Sequence, residues 1–289
     1  MQYKIVADSS ADLRSLTSQI PFSMVPLKII AGQEEFVDNE TLDVGQMVAF
    51  LSEYKGRSGS ACPSVADYLE AFGEAERIFC FTITSNLSGS FNAARLAKED
   101  YEAAHPDRKV YVVDSLSAGA EIKLLAEKAE ELILAGTEHE VICEALEAYQ
   151  QKTGLMFSLE SLRNLANNGR VSPVVAKIAG VLGIRAVGRA SAEGTLELLD
   201  KCRGEKKALQ KLLERMTEQG YKGGRVLIDH CQNLPAAEAL REMILQGYPN
   251  TDVVIGETYG LCSFYAELGG LLVGYEKDNG RPRRYLHRA

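Results

Sequence analysis

The chain has no pair of cysteines at redox or zinc-ligand spacing. Its six cysteines, Cys62, Cys80, Cys143, Cys202, Cys231 and Cys262, are scattered. They read as free thiols in a reducing compartment. The four histidines are dispersed too. His139-Glu140-Val141-Ile142-Cys143 opens like a zinc-protease helix but lacks the second histidine, so no metal is expected. No apolar run approaches the ~20 residues that span a bilayer. The amino terminus enters an apolar strand pattern at Tyr3, without a leader pattern. A cytoplasmic protein with no signal peptide is the expectation. Positive charge is not in excess: the net charge is −8, which argues against non-specific nucleic-acid binding. The Walker phosphate loop, the dinucleotide Gly-x-Gly-x-x-Gly and the Gly-x-Ser-x-Gly nucleophile elbow are all absent. No acid–base pair can be identified. The chain is short of catalytic hardware.

What is present is ordinary globular composition over 289 residues, 46% hydrophobic and 25% charged. Short apolar runs alternate with helix-like segments. Strands are expected at Tyr3 to Ala7, Ser23 to Ile30, Ile78 to Thr82 and Val110 to Val113. Helices are expected at Gln46 to Tyr54, Ser64 to Ala75, Ser90 to Asp100, Ile122 to Ala135 and His139 to Gln151. This strand–turn–helix repetition implies a parallel α/β sheet. Residues 154 to 166 read as a strand, then a helix. Beyond a turn at Asn167 to Arg170, a helix is expected at Val174 to Val181. Strands follow at 184–187, 196–199, 225–229, 252–257 and 270–275, with helices at 206–219 and 234–246. The fold class is therefore α/β in two domains: a parallel-sheet domain, 1–152, and a domain with a mixed sheet, 153–289.

Three strand ends carry small polar turns: Asp8-Ser9-Ser10, Thr84 to Ser90, and Asp114-Ser115. The second, Thr84-Ser85-Asn86-Leu87-Ser88-Gly89-Ser90, leads into an Ala-rich helix pattern. Hydroxyls, a glycine and unpaired N–H groups gather there, so the turn can hold an anion without a cation. In open α/β sheets, ligands lie beyond the carboxyl ends of strands. The bland alternative is that Asp8, Ser88 and Asp114 only cap helices.

Several segments, in order, resemble the DegV family of bacterial fatty-acid-binding proteins. They are Val6-Ala7-Asp8-Ser9-Ser10-Ala11-Asp12-Leu13, Val25-Pro26-Leu27 with Asp38, Leu87-Ser88-Gly89-Ser90-Phe91 and Val113-Asp114-Ser115. Ser60-Ala61-Cys62-Pro63-Ser64 is similar to the family's Thr-Ser-Gln-Pro-Ser motif. Leu162 to Arg170 and Gly183 to Val187 also match. The resemblance implies one long-chain fatty acid, of the palmitate, stearate or oleate class, held between two α/β domains without another cofactor. It places the carboxylate at Ser60, Ser88 and Gly89. It further implies presentation of the acid to a partner fatty acid kinase, with no catalysis by this chain. Arg203, in Lys201-Cys202-Arg203-Gly204, is the candidate docking residue. The family's late His motif is missing: Thr258 stands where the His would fall. Two other readings stay open, a serine hydrolase or phosphotransferase acting at the Ser88 turn, and a ligand-controlled regulator.

Overall fold

The computed structural model describes residues 2–16, 20–172 and 183–277. Strand β1 (Tyr3–Asp8) ends in one 3-10 turn, Ser9–Ala11. Next come β2 (Phe22–Val25), β3 (Lys28–Ala31), β4 (Glu34–Val37), α1 (Val44–Glu53), β5 (Ser58–Ala61) and α2 (Val65–Phe72). After them lie β6 (Arg77–Thr82), α3 (Ser90–Ala104), β7 (Lys109–Asp114), α4 (Ala120–Leu134) and α5 (His139–Gln150). The later elements are β8 (Thr153–Leu159), α6 (Arg163–Asn167), β9 (Ile184–Ala190), β10 (Leu196–Arg203), α7 (Glu205–Glu218) and β11 (Val226–His230). The series closes with α8 (Leu234–Gly247), β12 (Val253–Glu257), α9 (Gly260–Ala266) and β13 (Leu271–Glu276).

The strands form three sheets. The first is parallel, in the order β2-β1-β6-β7. Its central strands are near-continuous apolar runs, as parallel strands covered on both faces require: Ile5 to Ala7 and Ile78 to Phe81 are fully buried. Helix α3 covers one face with Ala93, Ala97 and Tyr101, a spacing of four that lines up one helix stripe. The third sheet is mixed, in the order β10-β9-β8-β13-β11-β12, with β11 and β12 parallel and the other pairs antiparallel. Two α/β sheets, one parallel and one mixed, are the expected fold class.

The second sheet, β4-β3-β5, is antiparallel and was not foreseen as a unit. The expected single strand from Ser23 to Ile30 is two strands in two sheets, split at Pro26-Leu27. Pro26 has no N–H to give a ladder and restricts the residue before it. The freed Leu27 N–H donates to Ser9 Oγ at 3.0 Å. The chain thus leaves the parallel sheet at an edge and starts a new one. Ile29, Ala31, Met47 and Leu51 pack in one core with Leu155, Phe157, Leu159 and Phe264. The expected helix at Val174 to Val181 lies outside the described residues. No helix among the described residues is long and apolar enough to cross a membrane.

Candidate functional site

The β6–α3 turn is held from below by a buried carboxylate. Asp8, at the end of β1, is fully buried. Its Oδ2 accepts from the Ile83 N–H at 2.9 Å and from Ser90 Oγ at 2.5 Å. Its other oxygen accepts from the N–H and hydroxyl of Ser10. The Tyr68 hydroxyl completes the group, 2.6 Å from Ser90 Oγ. Burial pushes the Asp8 carboxyl above its ordinary range despite these donors. Asp114 ties the flank of the same turn, accepting from the Ser85 N–H at 3.0 Å. The three polar turns therefore do different jobs. Asp8 spends both carboxylate oxygens and Asp114 its Oδ1 on the protein, and the Thr84–Ser90 turn keeps groups to offer.

Ser88 Oγ accepts from the Ser90 N–H at 3.2 Å, which leaves the hydroxyl proton and a lone pair for a ligand. Gly89 is exposed and precedes α3 as its cap. A methyl on Gly89 would lie 3.1 Å from Cys62 Sγ, so the end of β5 abuts this turn. Ser60 sits on β5, half-buried, with its Oγ 2.7 Å from the Tyr265 hydroxyl of α9. Arg170 joins the two segments. Its Nε donates to Leu87 O at 3.1 Å, and its guanidinium lies 5.9 Å from the Tyr265 ring centre. Asn168, beside it, donates to Ser58 O at 3.2 Å. The structure thus brings Ser60, Ser88 and Gly89 to one mouth and adds Arg170 and Tyr265. Burial pushes the Tyr265 phenol up, so it stays a neutral donor and acceptor.

Arg203 is elsewhere in the architecture. It is the last residue of β10, paired with Ile184 and exposed. Thr258, in the place of the missing His, is buried and bonded to Ser263 Oγ at 2.7 Å. The late segment instead contributes Tyr265. No sequence signal marked it, because its partner Ser60 is 205 residues away. Arg170 had a signal, a polar residue just past a helix-ending Gly169 at φ +72°, but not one that named a ligand.

An apolar cavity opens behind this mouth. Its enclosed volume is about 60 Å³, within about 530 Å³ of protein-free space when the opening is included. Ile83, Leu87 and Ala118 line it from the first half of the chain; Leu155, Phe157, Leu159, Leu196, Leu261 and Leu272 line it from the second. Among the described residues, Arg170 is the one charged residue in this wall. The slot lies between the parallel and mixed sheets, apolar along its length and polar at one end. Among the described residues no cluster of His, Cys, Asp or Glu is arranged to hold a metal ion.

A family profile described as "Uncharacterised protein, DegV family" matches residues 2–278. The chain belongs to the DegV family. A DegV domain-containing protein of Streptococcus pneumoniae is 47% identical over 281 residues, covering 96% of this chain and all of that one. Two solved DegV-type structures are similar throughout. The S. pneumoniae fatty acid kinase B3 protein, loaded with linoleic acid, superposes with a TM-score of 0.94 at 47% identity. A DegV family protein from Eubacterium eligens, loaded with heptadecanoic acid, gives 0.93 at 45% identity. Each covers 96% of this chain and 100% of its own.

Proposed function

We propose that this DegV protein binds one long-chain fatty acid in the slot between its sheets and presents the carboxylate to a fatty acid kinase. The observation that carries the reading is an apolar slot whose wall includes Leu87, Arg170 and Tyr265, the residues that adjoin the Ser88 turn and the Ser60 hydroxyl. A fatty acid has that polarity in the same order. The tail supplies the affinity. Burial is worth ~0.8 kcal/mol per methylene, so about 14 methylenes give roughly 11 kcal/mol, against ~4–15 kcal/mol for immobilising a ligand. The carboxylate supplies orientation. Ser60, Ser88, the Gly89 N–H and Arg170 are its proposed partners, with Tyr265 holding the Ser60 hydroxyl in place. Charge-assisted hydrogen bonds are the strong ones, so a few suffice.

The relatives loaded with linoleic and heptadecanoic acid support this ligand class. The kinase B3 relative supports the partner. In this reading the chain is a carrier, not a catalyst, and its ligand is its only cofactor-like group. Its two domains are 1–152, which offers the carboxylate turns, and 153–289, which covers the acyl chain. Arg203 is the docking residue, an exposed cation free to meet the kinase. Thr258 takes no part at the carboxylate. A cytoplasmic location, with reduced thiols, goes with the same reading.

Native and denaturing mass spectrometry of the protein purified from bacteria tests it. The expected result is a one-to-one adduct with the mass of a long-chain fatty acid, released on denaturation. An apo mass that stays unchanged after incubation with palmitate and oleate sinks the reading.

A further inference from the structure

Helix α9 forms one wall of the slot, yet its seven residues are too few to hold a helical position unaided. It is fastened at both ends by different halves of the chain. At its start, Asp38 Oδ1 accepts from the Gly260 N–H and Oδ2 from the Leu261 N–H, each at 2.8 Å. Asp12 Oδ1 accepts from the Tyr259 N–H at 2.7 Å. Both aspartates are buried, at 1% and 2% exposure. Arg14 stacks on the Tyr259 ring at 4.0 Å. At the far end, Asn164 Nδ2 donates to Phe264 O at 2.8 Å, and the Glu267 carboxylate accepts from the Asn164 N–H and the Ser161 hydroxyl. Between these fastenings, Leu261, Cys262 and Ala266 face the slot and Tyr265 reaches Ser60.

We propose that Asp38, assisted by Asp12, is a positioning residue for fatty-acid retention: its carboxylate clasps α9 across the two halves, and releasing the clasp opens the slot wall. The inference rests on the fatty-acid reading of the slot. Asp38 does not touch the ligand. It acts on the wall through two backbone N–H groups, and on the carboxylate end through Tyr265. Opening the clasp frees both ends of the ligand together, so the exit rate is the quantity that moves. An asparagine keeps one acceptor oxygen and turns an N–H donor toward the second backbone N–H, so one strand of the clasp is lost and replaced by a clash.

The test is the dissociation rate of bound oleate, followed by transfer to lipid vesicles in stopped flow, for wild type, Asp38→Asn and a stability control. The control is Leu240→Ala, a fully buried residue of α8, which packs on the sheet face away from the slot. It lowers stability without touching α9. The expected result is an exit rate about tenfold or more faster in Asp38→Asn, the effect of losing a hydrogen bond to a charged acceptor. The control should stay within twofold of wild type. Amide exchange at Gly260 and Leu261 should rise in Asp38→Asn even without ligand. Gly260→Ala checks the same clasp from its other side, since its methyl would stand 2.6 Å from Asp38 Oδ1; it should repeat the fast exit if Asp38→Asn fails to fold. Exit rates for both clasp variants within twofold of wild type overturn the positioning role and leave the carrier reading intact. Equal acceleration in Leu240→Ala overturns it also, by making the effect general softening. A wild type that takes up no oleate overturns the carrier reading itself.

Discussion

The two ends of the slot are built on opposite principles. The mouth is a set of turns locked from below by hydrogen bonds to the buried Asp8 carboxylate, which fix the direction of the Ser88 groups left to offer. The body is a wall of Leu, Phe, Ile and Cys side chains held by packing, with no direction built into the contacts. Hydrogen bonds lose most of their worth over a few tenths of an ångström or a few tens of degrees. Apolar burial scales with area and tolerates changes of shape. A ligand read by this pair is therefore specified sharply at its head and loosely along its tail. The relatives carrying a 17-carbon saturated acid and a diunsaturated one fit that division.

The strongest way to break the contrast is at the foot of the mouth. Asp8→Ala removes the acceptor for Ile83, Ser90 and Ser10 together, and leaves buried donors unpaired. A loss of about 3 kcal/mol or more in urea unfolding is expected, with fatty-acid binding lost too. A change below about 1 kcal/mol would mean the turn holds itself.

Next in size is a pH effect. Burial raises the Asp229 carboxyl to about 6, and the nearby Lys123 only partly offsets this. A group with a raised folded pKa binds its proton better folded than unfolded. Its stabilisation is therefore complete below about pH 4 and lost as pH rises through about 6, on the order of 2–3 kcal/mol. Asp8, Asp12, Asp38 and Glu121 are shifted in the same direction by burial. Unfolding free energy should fall between about pH 4 and 6, and Asp229→Asn should reduce that slope by about one proton's worth. An unchanged slope removes Asp229 from the account.

Ser88→Ala addresses the head directly. It should weaken fatty-acid binding by about 1.5–3 kcal/mol, the worth of one hydrogen bond to a charged group, and leave folding nearly unchanged. Calorimetric titration with oleate measures this, and equal affinity takes Ser88 out of the site. Phe157→Leu sharpens the other side of the comparison. The Phe157 ring lies over Gly188, where a methyl would meet it at 2.2 Å. The variant should change affinity by only about 1 kcal/mol while shifting the ranking of acyl chains, since the swap changes shape more than polarity. A loss as large as that of Ser88→Ala would show that the wall is as exacting as the mouth. Smallest of all, Arg203→Ala should leave oleate affinity as it is and lower only the rate of kinase-dependent phosphorylation. A changed affinity would move Arg203 from docking to the slot.

The strand–turn–helix order and the Ser88 turn were legible because both are local. A buried parallel strand reads as an unbroken apolar run, and a helix start reads as a hydroxyl beside small residues. The split at Pro26 was half legible: the proline announced an edge, but not that a second sheet begins there. Helix α9 escaped notice because Gly260 to Ala266 is buried nearly all round and too short to show a period. Tyr265 escaped for another reason, and the same reason left Arg170 and Asp38, which appear only within family-like segments, without a role. Each acts on a partner brought close by the fold, and periodicity carries no record of contacts 83 to 222 residues apart.

Those separations also set a timetable. The hydroxyl turns at residues 60 and 88 leave the ribosome early, and chains fold from the amino terminus as they emerge. The wall formed by residues 260–266 comes far later. Through that interval the turn at residues 84–90 stands without Arg170, Tyr265 and the β8 and α9 walls of the slot. In the fatty-acid reading, the acyl chain can therefore be enclosed only once residues 260–266 have joined the fold.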